Sequence, residues 1–99
     1  MNVNIQTLRF EADSKLLAFV QKKLEKIKQF HDKIIHVDVY LKLDNVVHSI
    51  KDKIVEIKVM VPRQEFFVKQ TSKSFEESFD NALDAVVVQL KRKKERFVA

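Results

Sequence analysis

Alternation of apolar and polar positions marks the clearest strands. Residues 53–61, KIVEIKVMV, set Val55, Ile57, Val59 and Val61 against Glu56, Lys58 and Met60; KIIHVDVYLKL sets Ile35, Val37, Val39, Leu41 and Leu43 against His36, Asp38, Tyr40 and Lys42. A period of two sends successive side chains to opposite faces, so each segment reads as a strand with one buried face. The run 2–10 begins likewise, with Val3 and Ile5 against Asn4 and Gln6, and QEFFVKQ reads as a less regular fourth strand. Between the first two strands the period changes. Leu16, Leu17, Val20, Leu24 and Ile27 recur three and four apart, which predicts an amphipathic helix capped by Asp13 and running to about Phe30. Ser74 and Glu77 have the spacing of a capping box, and the helix they open carries Phe75, Phe79, Ala82, Leu83, Val86, Val87 and Leu90 on one stripe. Residues 44–52 break the period and read as a loop, whereas Pro62 and Arg63 supply a tight turn with Pro at its first central position.

The order is therefore strand, helix, three strands, helix. A helical crossover makes the first two strands parallel if they pair, in the right-handed sense, and the later joins are antiparallel. One apolar face per strand and one stripe per helix give an α+β, two-layer β-α-β-β-β-α domain, a four-stranded sheet with both helices on one face. The predicted core is Val3 and Ile5 with Leu16, Val20, Leu24 and Ile27, the strand residues Val37, Val39, Leu41, Ile57 and Val59, and Phe79, Leu83, Val86 and Leu90. At 99 residues, 1–99 is expected to be a single domain.

Composition removes several kinds of chemistry. The chain has no cysteine, so disulfides, thiol catalysis and Cys-based metal sites are out. It has no glycine either, which excludes P-loops, dinucleotide fingerprints and the Gly-flanked nucleophile elbow. No apolar run approaches the length of a membrane span and no secretory leader pattern opens the chain. Asp80 and Asp84, with Glu76 and Glu77 a turn earlier, sit where acids complement a helix N-terminus, a better account of them than acid–base catalysis. His31, His36 and His48 lack ligand spacing, although His36 and Asp38 share a strand face. No catalytic residue, metal site, cofactor or small-molecule substrate is expected, and nucleotides and metal ions should not stabilise the protein.

Charge changes the picture most. The net charge is +5, yet residues 91–96 alone carry five cations against Glu95, and residues 15–33 carry six lysines against Glu25 and Asp32. Everything else is net acidic. One or two cations in a last helical turn are explained by the helix dipole; four consecutive ones repel each other and exceed that need. If the helices lie parallel in one layer, both clusters reach one surface, the footprint of a polyanion binder.

The chain resembles the short ribosome hibernation promoting factor and ribosome-associated inhibitor family, also called sigma-54 modulation proteins. The resemblance rests on the element order, on FVQKKLEKIKQFHDKI, on VDVYLKL and above all on FDNALDAVVVQLKRKKER. It implies a fold similar to double-stranded RNA-binding domains and a non-enzymatic factor. Such a factor binds the small ribosomal subunit in the channel of messenger RNA and the A- and P-site transfer RNAs, holding idle ribosomes inactive. It also implies that Lys22, Lys23 and Lys26 on the first helix, and Lys91, Arg92, Lys93, Lys94 and Arg96 on the second, meet ribosomal RNA phosphates. A cytoplasmic protein, monomeric off the ribosome and without the C-terminal dimerisation domain of long members, is the further expectation. Ala85 and Val88 stand where family members often carry basic residues, and Glu76 where an aromatic is common, which thins the RNA-facing surface in mid-helix. The alternative is a protein-interaction module that engages a transcription or regulatory partner through Tyr40, Met60 and Phe67 on the exposed sheet face.

Overall fold

The computed structural model describes residues 2–43 and 52–98, with the side chains of the last helix described as far as Arg92. In chain order come β1 (Asn2–Leu8), α1 (Ser14–Leu24) with a 3-10 extension (Glu25–Gln29), β2 (His36–Leu43), β3 (Lys53–Val61), β4 (Gln64–Ser72) and α2 (Phe75–Val98). The four strands form one sheet in the order β1-β2-β3-β4. β1 pairs parallel to β2, Val3 opposite Val37, and the two remaining pairings are antiparallel. This is the α+β arrangement that the periodicities predict, with both helices packed on one face of the sheet.

Each helix begins where its side-chain chemistry says it should. Asp13 Oδ1 accepts the Leu16 N–H at 2.8 Å, and the Ser74 hydroxyl accepts the Glu77 N–H at 3.1 Å. The capping box is only half built, because the Ser74 N–H donates to Ser72 Oγ at 3.3 Å rather than to Glu77. Past Leu24 the first helix tightens to 3-10 geometry, closed by the Phe30 N–H donating to the Ile27 carbonyl at 3.0 Å. The loop expected over 44–52 lies outside the described residues, apart from Asp52.

The core is one cluster. Val37, Val39 and Leu41 of β2 and Val55, Ile57 and Val59 of β3 are fully buried beneath Val20, Ile27, Phe79, Val86 and Leu90 from the helix layer. Among the described residues Ser78 is the buried polar side chain; its hydroxyl donates to the Lys53 carbonyl at 2.6 Å and lies 2.8 Å from Ser72 Oγ, tying α2 to β3 and β4.

Two core assignments, Val3 and Ile5, and the facing of Ile35 need correction. Val3 is 42% exposed and Ile5 only half-buried. α2 packs over β3 and β4, so the β1 edge is thinly covered and Val3 lines an open groove beside Leu17 and Gln21. Ile35 is 49% exposed and precedes β2, although its N–H still donates to the Met60 carbonyl at 2.8 Å. Its neighbour Ile34 takes the buried place, because the chain reaches the sheet from the helix layer and alternation begins only afterwards.

Candidate nucleic-acid interface

The seam between the helices is read from its paired side chains. The Phe10 and Phe75 rings stack with centroids 4.5 Å apart, Phe19 meets Phe79 edge-on at 6.1 Å, Lys23 Nζ lies 3.6 Å from Asp80 Oδ1, and Lys91 Nζ sits 5.1 Å from the Phe30 ring centroid. Both members of each pair advance together along the chain, so the two helical segments run parallel. Their C-terminal ends, where the cations cluster, therefore lie at the same end of the domain.

Lys22 and Lys26 are exposed, as are Lys91 and Arg92, the first two residues of the basic run in α2. Lys23 is half-buried, its ammonium 5.4 Å above the Phe19 ring as well as beside Asp80. The side chains of Lys93, Lys94 and Arg96 lie outside those described, although their backbone continues α2. Lys28 is engaged locally, 2.9 Å from Glu25. Of the two positions where a basic residue is absent, Val88 is exposed and Ala85 packs partly against the core.

Sequence reasoning missed the aromatic supports. Phe19 stands four residues before Lys23 on the first helix, a spacing that already sets the two side by side, whereas the Phe30–Lys91 contact arises only when two helices meet. Asp80 has also been given too small a role: besides lying in the acidic N-terminal half of α2, it holds Lys23.

The opposite face of the sheet is mostly charge-paired. Lys42 lies 2.9 Å from Glu56, Lys58 2.9 Å from Glu65, and His36 Nε2 2.6 Å from Asp38 Oδ1, which also accepts the Asn4 amide at 3.4 Å. Tyr40 is half-buried under the Lys42 ammonium, while Met60 and Phe67 are exposed. Among the described residues no group of three His, Asp or Glu side chains could hold a metal ion. Nor, among them, is any helix long and apolar enough to cross a membrane.

A two-layer β-α-β-β-β-α domain with parallel helices defines the class, and two solved structures share this fold. The ribosomal subunit interface protein from Coxiella burnetii superimposes with a TM-score of 0.84 at 19% identity, over 96% of this chain and 99% of that one; at this identity the likeness concerns the fold. The Protein Y N-terminal domain from Thermus thermophilus gives 0.79 at 26% identity, over 93% and 98%. No curated protein matches the sequence. The chain belongs to the sigma 54 modulation protein / S30EA ribosomal protein family, whose pattern it matches over residues 3–97. It is accordingly a ribosome-binding, non-enzymatic factor of the ribosome hibernation class.

Proposed function

We propose that the protein binds RNA of the small ribosomal subunit through the basic end of its helix layer. Occupying the channel of messenger RNA and the A- and P-site transfer RNAs, it holds idle ribosomes inactive. Lys22, Lys23 and Lys26 meet the RNA backbone from one helix, and Lys91, Arg92, Lys93, Lys94 and Arg96 from the other. The observation that carries this reading is the parallel seam, which brings two separate lysine clusters to one end of the domain. Its family membership supports a ribosomal partner. The protein works in the cytoplasm and is monomeric off the ribosome, without cofactor or small-molecule substrate.

Binding of this kind draws its strength from counterion release and so weakens steeply with salt. Replacing Lys91, Arg92, Lys93 and Lys94 by alanine retains helix propensity and removes four cations. Pelleting with purified small subunits across a salt series should then show lost binding, and a slope of log K against log salt flatter by about three to four units. If the quadruple variant still pellets and inhibits translation at wild-type concentrations, the reading is wrong.

A further inference from the structure

The sheet face away from the helices is not uniformly neutral. At the end where β1 leaves the sheet, a hollow of about 370 Å³ is floored by Leu8 and Ile54 and ringed by Arg9, Lys42, Lys69 and Glu56. Three cations thus surround one carboxylate. Glu56 is already engaged by Lys42 at 2.9 Å and stands directly across the ladder from Lys69. Among the described residues neither Arg9 nor Lys69 has an ion-pair partner, and both are exposed. The other end of the same face carries Asp38, Lys58 and Glu65 with His36, an acidic balance when the histidine is neutral. The positive charge is therefore local to the hollow.

Arg9 is also held in place. Its φ is 71°, in the left-handed region that a non-glycine residue rarely enters. The turn there carries Phe10 into the helix layer, where it stacks on Phe75, while the Arg9 side chain stays beside Lys42 on the other face of the sheet. A backbone fixed at both neighbours anchors the base of the guanidinium side chain beside the hollow.

We propose that this hollow is a second RNA-backbone site, so that the protein is gripped between two RNA segments rather than resting on one. An open hollow rimmed by long cationic side chains suits a phosphodiester strand lying across it, whereas small-molecule sites bury most of their ligand. Aliphatic Leu8 and Ile54 offer the sugar an apolar floor, and the arginine and lysine offer the phosphates their donors. The proposal extends the RNA-binding reading of the helix layer and is tested apart from it. The domain's smallest extent is 19 Å, about twice the ~10 Å screening length at 0.1 M salt, so the two faces should contribute independently.

The test compares wild type with an Arg9→Gly, Lys69→Gln double variant. Glycine accepts the left-handed backbone, and glutamine keeps the exposed strand position polar, so the fold is retained. Pelleting with purified small subunits should show affinity lower on the order of tenfold and a salt slope flatter by about 1.4 to 1.8 units, two contacts at roughly 0.7 to 0.9 each. Arg9→Lys with Lys69→Arg should restore both. Combined with Lys91→Ala and Arg92→Ala, the losses should add in log K. Wild-type affinity and slope in the double variant would overturn the proposal. So would an affinity loss at unchanged slope that the charge-preserving variant fails to restore, the result expected if a protein surface docks there. If instead only the helix variants bind like wild type, the helix reading fails and the hollow stands as the RNA contact.

Discussion

The Lys91 ammonium lies 5.1 Å from the centre of the Phe30 ring, joining the last turns of α2 to the end of the 3-10 extension of α1. A cation over an aromatic face is attracted by the ring quadrupole and loses some of the rotational freedom that a surface lysine would otherwise keep. Phe30 therefore helps to aim the Lys91 ammonium, one of the cations proposed to meet RNA phosphates, without itself carrying charge.

Phe30→Leu keeps an apolar side chain and the net charge while removing the ring. Affinity for small subunits should fall about two- to fivefold, corresponding to roughly 0.5–1 kcal/mol for an exposed cation–π contact. Phe30→Tyr should bind like wild type. In a Lys91→Ala background the Phe30→Leu effect should disappear; an undiminished effect there would show that Phe30 does not act through Lys91.

Asp80→Asn tests the other anchor. The Lys23–Asp80 pair is 3.6 Å long with side chains 32% and 47% exposed, so its loss should change stability by no more than about 0.5 kcal/mol. Removing the acid from a basic surface should instead raise affinity for unrelated duplex RNA several-fold at low salt, with the gain fading as salt rises. Unchanged binding to such RNA in a fluorescence titration would mean that Asp80 does not moderate the surface.

Val39 and Val3 look equivalent in the alternation but differ in the fold. Val39→Ala empties space in a fully buried layer and should cost on the order of 2–3 kcal/mol in urea unfolding. Val3→Ala, at a position 42% exposed, should cost less than about 0.5 kcal/mol. Equal losses would contradict the thin cover over β1.

Arg63 closes the β3–β4 turn at φ 68°, a left-handed position where glycine is preferred. Arg63→Gly should stabilise the protein by roughly 0.5–1 kcal/mol once the extra unfolded-state freedom of glycine is deducted, raising Tm by about 2–8 °C. Arg63→Ala should give no such gain. A fall in Tm with glycine would show that the Arg63 side chain, rather than its backbone, matters to the turn.

How much of this was legible in the sequence depends on whether a feature is local. The faces of β2 and β3, the Asp13 cap, the stripe of α2 and the two basic clusters follow from spacing alone, because period and capping act within a few residues. Val3 and Ile35 were misplaced because their burial depends on how far the helix layer reaches and from which side the chain enters the sheet. The Phe30–Lys91 and Lys23–Asp80 contacts required two helices to meet, and the hollow at Arg9 required β1, β2, β3 and β4 to lie side by side. Neither arrangement leaves a mark on any one segment.

The parallel pairing of β1 with β2 also bears on how the chain assembles. Val3 meets Val37 only after the intervening helix and turn have been closed into a loop, whereas β3 and β4 are joined across Pro62 and Arg63 alone. Closing the longer loop costs more chain entropy before any contact offsets it, so the β3–β4 hairpin should form early and β1 should dock late. The last strand to arrive, held by one neighbour and thinly covered, should also be the first to open. Native-state hydrogen exchange should accordingly find the β1 amides least protected among the four strands, and the β2–β3 ladder most.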